Sequence, residues 1–222
     1  MKRVIKDTSP AWFEAWKVNY KMSNGKEPHY KDNFSTDDAA GAGRRQNLRT
    51  ALVNEQGKIC CYCMKRISVN SSHIEHFLPK EQFRDRDLSY DNLFASCNGE
   101  GADIIYDEHC GHRKDNWWKE GMISPTDAEA ETAFRYSPDG RINSVKGKTT
   151  SNIAQEMIHN LGLDSYHLQR SRREAIEASE VYDDEEYSQD EIRDFIEYYS
   201  HKDNGVYVPF CKAIVDCLKE QL

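Results

Sequence analysis

Four cysteines in one window of the chain have the residue type and the spacing of a metal site. Cys60 and Cys63 stand three positions apart, and Cys97 and Cys110 follow them in the same window. Two thiolates one turn apart can share a tetrahedral zinc ion, each sulfur lying about 2.3 Å from the metal. We therefore predict a structural zinc site made by these four residues, provided that the chain between the last two loops out.

Other interpretations of the cysteines stay open from the sequence. The Cys60-x-x-Cys63 pair could be a redox motif, or the cysteines could be ordinary buried thiols. Cys61 could also replace Cys60 as the ligand. The chain has seven cysteines, an odd number, and in a reducing compartment thiols or metal ligands are expected rather than disulfides. Cys211 and Cys217 stand outside the window, and we predict that they are core thiols.

An acidic residue and a histidine, Glu75 and His76, stand side by side between the two cysteine pairs. The segment His73–Phe77 favours a β-strand, in which successive side chains point to opposite faces. Hydrolysis of a phosphodiester needs an activated water and a cation near the leaving oxygen. A histidine suits the role of general base, and a carboxylate suits Mg²⁺ or Mn²⁺. The pair therefore indicates phosphodiester hydrolysis, with a surface ion pair as the alternative.

Two further segments could complete such a site. Asn92 precedes a short apolar stretch, where it could brace a loop by hydrogen bonding to the backbone, or could be a simple turn residue. A helix in the segment 109–116 would present one residue toward Glu75 as a second ligand of the catalytic ion. Arg113 and Lys114 in that helix could then contact phosphate.

The order of these motifs resembles the HNH endonuclease family. Within that family the chain is most similar to the PtuB group, the HNH component of Septu-type antiphage systems, including those attached to retrons. The resemblance covers most of the chain. The segments that carry it are Ile59-Cys60-Cys61-Tyr62-Cys63-Met64, Ile74-Glu75-His76, Asn92-Leu93, Ser96-Cys97-Asn98-Gly99, Cys110-Gly111-His112 and Asp139-Gly140-Arg141-Ile142.

The resemblance implies a role for each matching residue. His76 matches the general base of the family, and Glu75 matches the acidic metal ligand that precedes it, which is usually Asp. Asn92 matches the residue that orients the base. The implied cofactors are a structural Zn²⁺ and a catalytic Mg²⁺ or Mn²⁺.

The third position of the motif is the least regular. The family usually places it directly after the cysteine, where this chain has Gly111. The resemblance therefore implies His112 as the second ligand of the catalytic ion, at an offset of one residue. His109 and Asn116 are the rival candidates.

The resemblance also implies partners. These are a PtuA-like ATPase related to ABC and SMC proteins, a nucleic-acid substrate, either DNA or RNA, and, through the complex, a retron reverse transcriptase with its DNA–RNA product. The chain has a formal net charge of −8, whereas a free-standing DNA-binding protein is usually basic. The complex rather than this chain alone could therefore hold nucleic acid. The acidic run 183–186 is either a solvated helix end or part of a docking surface.

We predict an α+β fold, in which a small ββα-metal (HNH) core with a zinc knuckle is embedded in mainly helical N- and C-terminal additions. The predicted parts are an N-terminal helical extension (1–57), the HNH core (58–120), a connecting hairpin (121–148) and a C-terminal helical region (149–222). Within the core, Lys65–Val69 favours a short strand. Ser188 and Glu191 have the spacing of a capping box, which marks a helix start.

The composition limits the location and leaves other functions open. Hydrophobic residues make up 38% of the chain and charged residues 31%, which is typical of a globular protein. No apolar run approaches the roughly 20 residues that span a bilayer, and the basic start is not followed by an apolar stretch. We therefore expect a cytoplasmic protein without membrane contact. The alternatives to a defence nuclease are an RNA-cleaving toxin, acting for example on tRNA, and a zinc-scaffolded binding module without catalysis.

Overall fold

Helices and two small sheets make up the computed structural model, which describes residues 1–99, 108–179 and 187–222. The helices are α1 (Ala11–Asn24), α2 (Ala39–Glu55), α3 (Cys110–Lys114), α4 (Glu129–Thr132), α5 (Ser151–Asn160), α6 (Tyr166–Glu177), α7 (Gln189–Ser200) and α8 (Cys211–Leu218). The strands are β1 (Ser72–His76), β2 (Leu93–Cys97), β3 (Phe134–Tyr136) and β4 (Ile142–Ser144). This mixture confirms the predicted α+β class.

The first sheet is the antiparallel pair of β1 and β2. In its register Glu75 faces Phe94 and His73 faces Ser96. The strand expected over His73–Phe77 is therefore present as β1. The strand expected over Lys65–Val69 is wrong, because within it only Arg66 forms a bridge and the neighbouring backbone closes a tight turn instead.

A glutamine side chain covers the free edge of β2 directly after α2. The amide of Gln56 accepts a hydrogen bond from the backbone N–H of Ala95 (2.7 Å) and donates one to its carbonyl oxygen (2.8 Å). The same side-chain nitrogen donates to the carbonyl of Ile59 (2.9 Å), just before the cysteines. Since unpaired backbone groups are costly in a protein interior, this side chain fixes α2 to the sheet and to the cysteine segment.

The C-terminal part surrounds a second antiparallel hairpin, β3 and β4, which confirms the expected hairpin. The capping box of Ser188 and Glu191 is present at the start of α7. Buried hydrophobic side chains from both ends and from the middle of the chain form one contiguous core. Cys211 and Cys217 are buried in that core, as predicted.

The acidic run 183–186 lies outside the described residues. Among the helices that the structure describes, none combines the length and the apolar character needed to cross a lipid bilayer.

Candidate active site and cysteine cluster

The four cysteines predicted to hold zinc come together in space. The sulfur atoms of Cys60, Cys63, Cys97 and Cys110 all lie within 4.8 Å of one another, and all four residues are buried. They come from a turn after α2, from the end of β2 and from the start of α3. Four converging sulfur donors match the preference of Zn²⁺ for tetrahedral thiolate sites.

Backbone amides support this cluster. The first two cysteines lie in a turn closed by hydrogen bonds from the N–H of Cys60 to the carbonyl of Lys65 (2.9 Å) and from the N–H of Met64 to the carbonyl of Cys60 (3.1 Å). The N–H of Cys97 donates to the sulfur of Cys60 (3.3 Å), and the N–H of Lys65 to that of Cys63 (3.5 Å). Such donors stabilise the thiolate form, which is the form that binds metal.

The geometry favours Cys60 over Cys61 as the ligand. The sulfur of Cys60 belongs to the group of four, and that of Cys61 does not. Burial raises the pKa of the Cys61 thiol well above its ordinary value, as it does for Cys63 and Cys110 within the group, so the position of the sulfur rather than its pKa separates Cys61 from the ligands. In the cluster, hydrogen bonding from Cys110 lowers the pKa of Cys97 to about 7.

Glu75 is a buried carboxylate with one oxygen held by the protein. Its Oε1 accepts hydrogen bonds from the hydroxyl of Tyr62 (3.1 Å) and pairs with Nζ of Lys114 (2.9 Å). Burial raises the pKa of this carboxyl. The charge of Lys114 and the hydrogen bonds lower the pKa by more than burial raises it, so that the pKa lies below its ordinary value. Glu75 is therefore ionised, and its Oε2 is left to face Nε2 of His73 at 3.5 Å.

Lys114 does not contact solvent, so the suggested phosphate contact of this residue is wrong. Its side chain is fully buried, and its Nζ also donates to the carbonyl of His76 (3.0 Å). The reason is helical geometry: Lys114 follows Cys110 by one turn of α3, so that both residues face the protein interior. Arg113, on the other side of the helix, is exposed.

We predict that Lys114→Met lowers the free energy of unfolding by about 3–5 kcal/mol, because it leaves Glu75 buried without its counter-charge. Urea denaturation measures the change. The matched control is Lys119→Met, which removes an exposed ion pair with Glu156 (2.7 Å) and should cost about 1 kcal/mol or less. Equal losses in the two variants would contradict the assignment of Lys114 as the partner that keeps Glu75 charged.

His76 is held as a neutral imidazole at the end of β1. Its Nε2–H donates to the carbonyl oxygen of Asp87 (3.0 Å), and its ring lies edge-on to that of Tyr30, with centroids 4.5 Å apart. Burial, together with the nearby charge of Lys80, lowers the pKa of His76 to about 4. The ring is therefore neutral at neutral pH, and its Nδ1 can accept a proton.

Asn92 braces the loop that holds His76 in place. Its Oδ1 accepts a hydrogen bond from the N–H of Leu78 (2.7 Å), and its Nδ2 donates to the carbonyls of Leu78 (3.1 Å) and Arg86 (3.0 Å). Arg86 immediately precedes Asp87, the residue that binds His76. The amide thus links the segment after β1 to the segment that orients the imidazole.

One cleft of about 240 Å³ brings the candidate catalytic side chains together. Its lining includes His73, Glu75, His76, Lys80, His112 and Asn116. The predicted pair of acid and histidine therefore shares a cleft with two of the three candidates for the third position. Asn92 is not among the residues that line the cleft and acts on it through its hydrogen bonds to the backbone of Leu78 and Arg86.

The candidates for the third position differ in their surroundings. His112 is exposed at the rim, with its ring edge-on to that of His73 and the centroids 4.9 Å apart. His109 is buried and its ring lies 6.2 Å from that of His167, and it does not line the cleft. His73 is not part of the motif, although strand alternation places its side chain on the same face as that of Glu75.

Comparison with known proteins identifies the class of this chain. It is 32% identical over 165 residues to a protein of Vibrio cholerae serotype O1 biovar El Tor assigned as an HNH endonuclease of retron Vc95, covering 72% of this chain and 76% of that protein. The chain therefore belongs to the HNH endonuclease family.

Within that family, the chain is of the Septu and retron type. It is also 29% identical over 113 residues to the Septu protein PtuB of Bacillus thuringiensis, covering 48% of this chain and 39% of that protein. No family model matches the chain. The two relatives confirm the resemblance predicted from the motifs.

Proposed function

We propose that this protein is a metal-dependent endonuclease that hydrolyses phosphodiester bonds of nucleic acid as an effector of antiphage defence. The observation that carries the proposal is the pairing, in one cleft, of a neutral imidazole at His76 with an ionised carboxylate at Glu75. In this proposal β1, β2 and α3 form the ββα-metal core, and the four clustered cysteines hold a structural zinc.

The proposed chemistry starts at His76. Its Nδ1 accepts a proton from a water molecule, and the water oxygen attacks phosphorus. The bond between phosphorus and the leaving 3′ oxygen breaks, and that oxygen takes a proton from solvent. The hydrogen bond from Nε2 to Asp87 keeps the ring in the tautomer that leaves Nδ1 free for this step.

Glu75 is the proposed holder of the catalytic Mg²⁺ or Mn²⁺. Its Oε2 is the carboxylate oxygen left over by Tyr62 and Lys114, and it lies at the cleft. When bound, the divalent ion supplies positive charge beside the phosphate and the leaving oxygen. His112, the residue that the motif implies at the third position, lines the same cleft.

We propose that the protein acts with a PtuA-like ATPase, and through that complex with a retron reverse transcriptase and its DNA–RNA product. The similarity to a Septu protein and to a retron protein supports this, as does the net charge of −8, which disfavours unaided binding of a polyanion. We place this activity in the cytoplasm, because no disulfide joins any of the seven cysteines, and a reducing compartment keeps cysteines available as thiols and metal ligands.

A cleavage assay tests the proposed function. The purified protein, alone and with the ATPase, is incubated with duplex DNA, single-stranded DNA and tRNA in Mg²⁺, in Mn²⁺ and in EDTA. We expect cleavage with either ion that leaves 5′-phosphate and 3′-hydroxyl ends, and none in EDTA.

The same assay separates the rival functions. Cleavage confined to tRNA would support an RNA-cleaving toxin. Binding of nucleic acid without cleavage in any ion, with the ATPase present, would contradict an enzyme and support a zinc-scaffolded binding module.

A further inference from the structure

His73 lies directly beside the free oxygen of Glu75. The two residues are two positions apart on β1, so their side chains leave the same face of the strand. Nε2 of His73 is 3.5 Å from Oε2 of Glu75, which is longer than the usual hydrogen bond of about 2.7–3.2 Å. The two atoms face one another at the outer limit of hydrogen-bonding distance.

Gly111 forms the wall next to these two atoms. A Cβ atom at this position would lie 2.4 Å from Nε2 of His73 and 2.5 Å from Oε2 of Glu75. Any side chain here would therefore displace one or both atoms. The absence of a side chain at Gly111 allows the imidazole and the carboxylate to approach each other.

The donor set at this point suits a divalent cation. Ligand atoms that each lie about 2.1 Å from one Mg²⁺ ion are at most about 4.2 Å apart, so a separation of 3.5 Å allows one ion to contact both. An imidazole nitrogen beside a carboxylate oxygen is a pairing that divalent transition metals such as Mn²⁺ accept. Tyr62 and Lys114 already contact the other oxygen of Glu75, Oε1, which would leave Oε2 available to a divalent ion.

We propose that His73, together with Glu75, binds the catalytic divalent ion, and that His112 stands outside the ligand set. This inference rests on the proposed function and specifies its metal site. His73 takes the place of a ligand from α3, where Gly111 leaves the necessary space.

Metal binding by zinc-loaded protein tests this assignment without relying on activity. Mn²⁺ is titrated calorimetrically into wild type, His73→Ala and His112→Ala, and circular dichroism and zinc content verify the fold of each. Changing a residue that only supports a ligand weakens metal binding about 10–100-fold. Loss of His73 as a ligand should therefore weaken Mn²⁺ binding at least about tenfold, while His112→Ala leaves it within about twofold of wild type.

Electron spin-echo modulation of the bound Mn²⁺ gives an independent signature. We expect nitrogen coupling from an imidazole ligand in wild type and in His112→Ala, and no such coupling in His73→Ala at saturating metal. Nitrogen coupling that survives in His73→Ala and disappears in His112→Ala would overturn the inference.

Gly111→Ala offers a second variant that removes no ligand. Alanine is a better helix former than glycine, so α3 should tolerate it, but its Cβ would displace Nε2 of His73 and Oε2 of Glu75. We expect weaker Mn²⁺ binding in a protein that keeps its zinc. Wild-type affinity in both Gly111→Ala and His73→Ala would overturn the inference.

Failure of the ligand assignment of His73 can be distinguished from failure of the proposed nuclease function. If wild type binds Mn²⁺ and cleaves nucleic acid but His73→Ala binds as tightly, the ligand assignment fails and the nuclease stands. If wild type neither binds Mn²⁺ in the cleft nor cleaves, both proposals fail.

Discussion

Replacing His76 with alanine is expected to reduce nucleic-acid cleavage by about 10²–10⁴-fold, the usual contribution of a positioned general base. The imidazole is held by the carbonyl of Asp87 and by the ring of Tyr30, and burial keeps it neutral. The change leaves the side chains of the four clustered cysteines intact. Single-turnover cleavage rates in Mg²⁺ give the measurement.

The control for this variant is His201→Ala, which removes an exposed histidine paired with Glu197 on the surface and should cleave at the wild-type rate. Zinc content and circular dichroism should be unchanged in both variants. Exogenous imidazole should restore part of the activity of His76→Ala, since truncation opens a space in the cleft. Activity of His76→Ala within about tenfold of wild type would contradict the role of general base.

The second large effect is expected from Cys63→Ser, which should lose the zinc and with it the folded core. In small zinc domains the free energy of metal binding is largely free energy of folding, about 10–16 kcal/mol in zinc-finger peptides. Cys110 joins the same cluster and begins α3, the helix whose Lys114 neutralises Glu75. Loss of the zinc should therefore disorder the catalytic cleft as well as lower the melting temperature.

The matched control is Cys61→Ser, a buried neighbour whose sulfur lies outside the group of four. We expect one zinc per chain in wild type and in Cys61→Ser by elemental analysis, and none in Cys63→Ser. The melting temperature measured by circular dichroism should be close to that of wild type in Cys61→Ser and clearly lower in Cys63→Ser. A Cys63→Ser protein that keeps one zinc and the wild-type melting temperature would contradict the cluster.

Short-range patterns made part of this site predictable. The spacing of Cys60 and Cys63 reflects a tight turn, and the side-by-side Glu75 and His76 fall on a strand that alternation identifies. These features depend on residues close in sequence, so the sequence alone indicates them. The hairpin of β3 and β4 and the capping box at Ser188 were predictable for the same reason.

Long-range packing determines what the sequence could not indicate. The positive charge of Lys114 suggests a contact with phosphate. Its position one turn after Cys110 instead buries the side chain, with Nζ 2.9 Å from Oε1 of Glu75. His73 has no motif of its own, and its role emerges only when α3 brings Gly111 against it. The position of a side chain relative to a distant element depends on tertiary contacts, which local propensity does not encode.

Some predictions remain predictions. The division of the chain into 1–57, 58–120, 121–148 and 149–222 is one of them, since a single contiguous core includes residues of all four parts. Three further predictions stay predictions in the same way. They concern the role of His112, the choice between Mg²⁺ and Mn²⁺, and the ATPase partner.

Anomalous diffraction from crystals grown with zinc and soaked in Mn²⁺ shows whether the cysteine cluster and the cleft hold two different metals. Data on either side of the zinc edge and at a longer wavelength separate the two metals. We expect a zinc peak among the sulfurs of the four clustered cysteines and a distinct manganese peak at Oε2 of Glu75, in the cleft that His76 also lines. A cleft with no manganese peak, or a zinc peak away from those sulfurs, would contradict the assignment of two separate metal sites.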